Sequence, residues 1–311
     1  MEEAPLYNEM AEGPAGGRAW WLKAGDGVRI RSAWWPGGKR GTVLLFPGRT
    51  EYVEKYGRTA ADLAGLGYGT IAVDWRGQGL ADRLTADPLV GHVGAFADYQ
   101  LDVVALTEMA RQLDCPGPWF LLGHSMGGCI GLRALHEGLP VRAALFSAPM
   151  WGIQMSRPTR PFAWAISWLA SRLGRGASFA PSTDRVTYVL NTPFEENALT
   201  SDPEMFAYMQ RHAREHPELT IAGPSLRWLY EALLETRRLR TMAPPAQPAL
   251  TFLGTHETIV DQPAIHLVME KWMNGHLERV PGAQHEILME RPSIRAFFFE
   301  RSTEFMASHA G

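Results

Sequence analysis

Cysteine is almost missing from this chain of 311 residues, which holds two. Cys115 precedes a Pro-Gly-Pro turn and Cys129 sits in a helix-compatible stretch, so the pair does not read as a disulfide framework. Long apolar runs are missing too. The best candidate, Phe162 to Ala170, falls far short of the ~20 residues that span a bilayer. Positive charge is not in surplus, since 30 Lys and Arg face 33 Asp and Glu for a net charge of −3. That leaves no electrostatic footprint for nucleic acid, and none is expected as a partner. The first residues, Met1 to Pro5, are acidic and lack the basic-then-apolar pattern of a secretory segment. Repeats and low-complexity tracts do not occur. The expectation is a soluble, cytoplasmic protein with reduced thiols.

What is present is an alternation of strand and helix patterns. Val28 to Trp35 alternates as a half-exposed strand does and ends at the Pro36-Gly37-Gly38 turn. Thr42 to Phe46 and Thr70 to Asp74 are β-branched and apolar almost throughout, which suits buried strands. A helical stretch at about Val53 to Leu66 lies between these two strands, and another, Phe96 to Leu113, comes after the second. Trp119 to Leu122 and Ala143 to Ser147 continue the strands, with helix-compatible Cys129 to His136 between them. After Ala148-Pro149 the rhythm stops. From Met150 to about Arg240 helix-like stretches are broken by prolines such as Pro158, Pro161, Pro181, Pro193, Pro217 and Pro224. Strands resume at Ala249 to Leu253 and Leu277 to Val280, with helices near Pro263 to Met273 and Ser293 to Met306. The length exceeds that of a usual single domain. The reading is an α/β core, residues 1–149 and 241–311, whose mostly parallel sheet has helices on both faces. A helical cap, residues 150–240, is inserted into it.

One motif in this frame carries chemistry. The strand ending at Leu122 runs into Gly123-His124-Ser125-Met126-Gly127, a Gly-x-Ser-x-Gly turn, and a helix comes next. That is the layout of a nucleophile elbow, which holds a serine hydroxyl exposed at the edge of a sheet. Such a hydroxyl needs an imidazole to take its proton, and the imidazole needs a carboxylate to orient it. In elbow folds the chain order is serine, acid, histidine, so the base lies late, beyond the carboxyl end of a strand. Of ten histidines, His285 has that address, between the strand and turn of Leu277 to Gly282 and the last helix. For the acid, Glu257 in the loop leaving Leu253 is favoured. Asp261 is the alternative and would otherwise cap the helix it begins. The oxyanion needs two backbone N–H donors. Met126, next to the serine, and Arg49, in the loop after Phe46, are the candidates. The Asp74 to Gly79 loop reads as rigid, with Asp74 and Arg76 satisfying backbone groups, and His124 as structural, facing the other side of the turn.

These residues together resemble the α/β-hydrolase superfamily. The segments are Gly123 to Gly128, Pro47 to Glu51 with Glu54-Lys55-Tyr56, Asp74 to Gly79, Gly254 to Asp261 and Gly282 to Glu286. Within the superfamily the chain is most similar to the monoacylglycerol lipase and lysophospholipase L2 branch, the serine aminopeptidase S33 or hydrolase 4 group. The resemblance covers nearly the whole chain, cap included. It implies Ser125 as nucleophile, His285 as base, and Arg49 and Met126 as oxyanion donors. Glu257 stands where the family usually has Asp, and Pro47 where many relatives have His. The implied activity is hydrolysis of carboxylic esters of lipid-like substrates, of monoacylglycerol or lysophospholipid type, through an acyl-enzyme. No cofactor and no metal is implied. Thioesterase, aminopeptidase and C–C hydrolase chemistry use the same core and stand as alternatives. His212-Ala213-Arg214-Glu215-His216 spells H-x-x-E-H, the pattern for a metallohydrolase alternative through His212 and His216. In the cap, Phe162, Ile166, Leu169 and Leu173 keep helical spacing, with Trp164 and Trp168 on a second face. Trp151, Trp164 and Trp168 are expected either to line an acyl-chain tunnel or to form a patch in transient contact with a membrane surface. Packing of the cap on the core is the competing account.

Overall fold

A computed structural model describes residues 1–181, 183 and 185–311. Among them one sheet is built from β1 (Glu2–Ala4), β2 (Arg18–Lys23), β3 (Arg29–Trp35), β4 (Thr42–Phe46), β5 (Gly69–Asp74), β6 (Trp119–His124), β7 (Ala143–Ser147), β8 (Ala249–Gly254) and β9 (Gly275–Val280). Its spatial order is β1-β2-β3-β5-β4-β6-β7-β8-β9. The first three strands and the β3–β5 pairing are antiparallel, and every pairing from β5 onward is parallel. The helices are α1 (Asn8–Ala11), α2 (Gly57–Gly65), α3 (Tyr99–Gln112), α4 (Met126–His136), α5 (Thr159–Arg172), α6 (Tyr188–Asn191), α7 (Pro203–Glu215), α8 (Leu226–Thr241), α9 (Gln262–Met269) and α10 (Pro292–Ser308). Among the described residues no helix is long and apolar enough to cross a membrane.

The parallel strands are apolar without alternation because both of their faces are covered. Val43 and Leu45 of β4 join Leu122 of β6, Leu63 of α2 and Phe298 of α10 on one side. Leu44 and Phe46 join Leu121, Leu106 of α3, Ile130 of α4 and Ile265 of α9 on the other. Successive residues of one strand thus feed two cores, as a period of two requires. β1 and β2 had no assignment in the sequence. β1 has only the three residues Glu2–Ala4, and β2 carries adjacent tryptophans in place of alternation.

Helices α5 to α8 lie between β7 and β8. Two of them are tied to the core by buried side chains. Glu235 of α8 accepts Nε and Nη2 of Arg133 on α4, at 2.6 and 2.7 Å, with both residues buried. Tyr208 of α7 donates its hydroxyl to the carbonyls of Ala11 (2.9 Å) and Glu54 (3.2 Å). α5 instead leans on α8, with Trp164 edge-on to Tyr230 at 6.0 Å between centroids. Only Ala163 and Ser167 of α5 are buried, while Phe162, Trp168, Leu169 and the adjoining Leu173 are exposed. The apolar stripe expected of this helix therefore faces outward.

Candidate active site

The sheet's parallel register brings four loops to one edge. Phe46 pairs with Gly123, His124 with Ser147, and Gly254 with Val280, so the segments that leave β4, β6, β8 and β9 emerge at the same edge. Ser125 occupies the turn between β6 and α4 with φ 50° and ψ −117°. A side chain held at positive φ costs on the order of 1–3 kcal/mol and persists only where its surroundings enforce it. Here the backbone enforces it. The Ser125 N–H donates to Ser147 O at 3.1 Å, and its carbonyl accepts the N–H groups of Gly128 (2.9 Å) and Met150 (2.8 Å). The turn also demands glycine beside it. A Cβ on Gly127 would stand 1.9 Å from Phe46 O, and one on Gly123 2.9 Å from Gly127 O.

His285 follows β9, and its Nδ1 donates to Glu257 Oε2 at 2.7 Å. The other carboxylate oxygen accepts the N–H groups of Ile259 (2.5 Å) and Val260 (3.1 Å). Burial alone would raise the pKa of Glu257, but His285 and these N–H donors outweigh it and hold the carboxyl below its ordinary value. The group is thus ionised and orients an imidazole whose Nε2 is left for chemistry. Asp261 does not reach His285. It precedes α9 as its N-cap residue without a capping hydrogen bond, and pairs with Arg160 of α5 at 2.8 Å. Ser125 and His285 line one cavity of about 400 Å³, and the Ser125 hydroxyl has no hydrogen-bond partner among the described residues.

Two backbone N–H groups next to this cavity, those of Arg49 and Met126, likewise find no acceptor among the described residues. The Arg49 loop is held from several directions. Glu51 accepts the Gly48 N–H, Trp75 Nε1 donates to Pro47 O (2.9 Å), and Gln78 Nε2 donates to Gly48 O (3.0 Å). The Asp74 to Gly79 loop is thus a brace for the Arg49 loop. Asp74 accepts the N–H groups of Val53 and Leu80, both at 2.8 Å. Arg76 departs from expectation: its guanidinium pairs with Asp102 and Asp26 rather than with backbone carbonyls.

His124 is also corrected. Its ring lies 4.9 Å from that of His285, on the site's side of the turn. It belongs to a buried polar cluster that the sequence reading missed. Lys55 Nζ bonds Glu51 Oε1 at 2.5 Å and Glu286 Oε2 at 2.8 Å, and Tyr56 donates to Glu51 Oε2 at 2.5 Å. His124 Nε2 stands 3.3 Å from Glu286 Oε2, and its Nδ1 donates to Ser147 O at 3.1 Å. Burial would lower the pKa values of His124 and Lys55, but Glu286 and Glu51 outweigh it and raise both. Glu286 is held well below the carboxylate range, because Lys55 and His124 overcome the opposite effect of burial. The Glu51–Lys55 spacing, one helical turn, was the signal available in the sequence. Glu51, His124 and Glu286 also have the donor atoms of a cation site, all within 4.8 Å. Lys55 already supplies the cation between the two carboxylates.

The three tryptophans do not follow the tunnel expectation. Trp151 is sealed in the core, donating to Gly128 O (3.1 Å) and packed edge-on to Phe146 at 5.1 Å. Trp164 packs on Tyr230, and Trp168 is 46% exposed. None of the three lines the cavity, whose apolar wall includes Met150, Ile153, Val189, Leu199, Met209 and Trp228. His212 and His216 face different partners. His212 Nε2 meets Met10 O at 2.9 Å, and burial pulls its pKa down to about 4. His216 stacks on Tyr7 and meets Glu218 Oε1 at 2.9 Å.

The chain as a whole is similar to several known proteins. Residues 37–292 match the family described as serine aminopeptidase, S33 (hydrolase 4). Lysophospholipase L2 of Escherichia coli (strain K12) is 32% identical over 280 residues, covering 86% of this chain and 80% of that protein. A soluble variant of monoglyceride lipase from Saccharomyces cerevisiae superposes with a TM-score of 0.73 at 20% identity, covering 93% of this chain and 95% of that one. Paleococcus ferrophilus monoacylglycerol lipase gives 0.70 at 22% identity, covering 90% and 99%. At those identities the structural likeness establishes the α/β-hydrolase fold.

Proposed function

Since the chain belongs to the serine aminopeptidase S33 (hydrolase 4) family of α/β-hydrolases, we propose that Ser125, His285 and Glu257 form its catalytic triad, with Arg49 and Met126 as oxyanion donors. The protein is a serine hydrolase of carboxylic esters with lipid-like alcohols, of the monoacylglycerol or lysophospholipid type. The observation that carries this reading is the buried Glu257–His285 pair opening on the same apolar-walled cavity as Ser125. Ser125 Oγ attacks the ester carbonyl while His285 Nε2 takes its proton. The negative charge that develops on the carbonyl oxygen is met by the unpartnered N–H groups of Arg49 and Met126. His285 then protonates the leaving alcohol, and a water deprotonated by the same imidazole releases the acyl group from Ser125.

Residues 150–240 act as a lid in this scheme. That role is supported by the cap residues Leu199 and Trp228 in the cavity wall, and by Leu199 O, which accepts the Glu286 N–H at 2.8 Å beside His285. Transient contact with a membrane surface fits the exposed Phe162, Trp168, Leu169 and Leu173, flanked by exposed Arg157, Arg172 and Arg175. Basic residues beside an apolar helical face favour an anionic lipid surface. A cytoplasmic location agrees with the two buried free thiols, Cys115 and Cys129.

The test is turnover of medium-chain p-nitrophenyl esters, monoacylglycerols and lysophospholipids, beside thioesters and aminoacyl amides, by wild type and Ser125→Ala. The expected result is ester hydrolysis by wild type and its loss in a Ser125→Ala protein that still folds. Retained turnover in that variant, or cleavage of the amides alone, would overturn the proposal.

A further inference from the structure

The arginines set deepest in this fold are paired with carboxylates. Arg31 has Glu54 and Asp74, Arg76 has Asp102 and Asp26, and Arg133 has Glu235. Arg49 differs. Its guanidinium lines the catalytic cavity, donates from Nη1 to Ala222 O at 2.9 Å, and lies 5.6 Å from the centre of the Trp228 ring. Among the described residues no carboxylate comes within 4.0 Å of it, and its Nε and Nη2 have no acceptor. The surrounding protein pulls its pKa down to about 10, which still leaves it charged at neutral pH. The other charged groups of the cavity wall are already satisfied, Lys55 by Glu51 and Glu286, and His285 by Glu257. The cavity therefore presents one cation without a counter-charge. An unpaired charge held partly out of water is costly, and an incoming anion removes that cost.

We propose that the Arg49 guanidinium is an anion subsite of the catalytic cavity, receiving the phosphodiester of a single-chain phospholipid whose ester carbonyl lies at the backbone N–H of the same residue. This rests on the ester-hydrolase reading above. The reach agrees. Six covalent bonds separate an arginine's backbone nitrogen from its guanidinium carbon. Six also separate the ester carbonyl carbon of a lysophospholipid from its phosphorus. At about 1.25 Å of advance per bond, both extended spans are roughly 7.5 Å. Guanidinium suits this task because its planar N–H fork matches phosphate oxygens. A neutral monoacylglycerol would leave it unmatched. The group beyond the phosphate meets no free carboxylate, since Glu51 and Glu286 are both on Lys55. Lysophospholipids with choline, ethanolamine or glycerol head groups should thus be deacylated alike.

The experiment compares kcat/KM for lysophosphatidylglycerol and for a monoacylglycerol of the same short acyl chain, in wild type, Arg49→Lys and Arg49→Met, below micellar concentrations. Arg49→Met should lower the ratio of lysophospholipid to monoacylglycerol kcat/KM by roughly 10- to 100-fold, chiefly through KM, with Arg49→Lys between. In Ser125→Ala protein, which needs no turnover, an ether-linked lysophospholipid should bind, and adding Arg49→Met should weaken it at least ~10-fold. Inorganic phosphate is the control ligand. If Arg49→Met abolishes inhibition by phosphate while both the ratio and the ether-lipid affinity hold, the subsite serves free phosphate and the proposal falls. It falls equally if both substrates lose the same factor and ether-lipid binding is unmoved. Absence of all ester hydrolysis in wild type would sink the triad reading instead, and the binding arm would still decide the role of Arg49.

Discussion

Lys55→Met is the substitution that most directly interrogates how the site is held together. The Lys55 ammonium bridges Glu51 at 2.5 Å and Glu286 at 2.8 Å, and the three side chains are only 5–6% exposed. Methionine keeps most of the volume but strands two buried carboxylates. Breaking a buried pair from one side typically costs 3–5 kcal/mol. With an unfolding entropy of about 2.1 cal/mol/K per residue, that predicts a fall in Tm of roughly 5–8 °C for a chain of this size. The pH dependence separates this cause from lost packing. Glu286 has its pKa depressed in the native protein, so its stabilisation is present above the unfolded value of about 4.3 and is lost as pH falls through the lower folded value. Lys55 and His124 have theirs raised, so their contributions are full below about 10.4 and 6.5 and are lost as pH rises through the higher folded values. In Lys55→Met the carboxylates can instead be neutralised by protons. The deficit relative to wild type should therefore shrink as pH falls from 8 to 5. Urea unfolding at the two pH values measures it, and Glu51→Gln in the same background should recover part of the loss by non-additivity. A deficit below ~1 kcal/mol, or one identical at both pH values, would refute the electrostatic account.

Further tests bear on the triad, the elbow and the cap. Glu257→Gln should lower kcat roughly 10³- to 10⁴-fold, because the imidazole loses the partner that fixes its tautomer. Asp261→Asn, which removes only a partly exposed pair with Arg160, should cost under ~1 kcal/mol of stability and leave kcat within about threefold. The reverse ranking in steady-state assays would transfer the acid's role to Asp261. Gly127→Ala drives a Cβ to 1.9 Å from Phe46 O, so thermal unfolding should show a loss of at least ~3 kcal/mol. A Trp168→Asp, Leu173→Asp double variant should cut hydrolysis of substrate embedded in anionic vesicles several-fold while sparing a water-soluble p-nitrophenyl ester. Equal loss on both substrates would remove the cap from membrane contact.

Much of the fold was legible because buried parallel strands advertise themselves. Thr42 to Phe46, Thr70 to Asp74, Ala143 to Ser147 and Ala249 to Leu253 each stand inside an observed strand. The elbow was legible for a different reason: backbone contacts such as that of Gly127 with Phe46 O admit no side chain, so the chemistry of the turn is written into composition. What stayed hidden is what depends on distance in space. Nothing local distinguishes Trp151, locked against Gly128 O in the core, from a tryptophan lining a tunnel. Nor does periodicity say which way α5 turns its apolar stripe. The polar cluster was hidden because Lys55 and Glu286 are 231 residues apart, and only the sheet's register brings them together.

That cluster also explains how a strained serine can sit where three independent loops meet. The Arg49 loop leaves β4, the elbow leaves β6, and the His285 loop leaves β9. No backbone pairing joins β9 to β4 or β6, since β7 and β8 lie between. Glu51 holds the first loop through the Gly48 N–H, His124 adjoins the serine, and Glu286 adjoins the imidazole. Lys55 ties the two carboxylates across the gap. Misplacement of about 1 Å between reacting groups can cost two orders of magnitude in rate. Substitutions in this cluster should therefore lower kcat by misplacing the loops it joins, and Lys55→Met should slow turnover at temperatures well below its own unfolding midpoint.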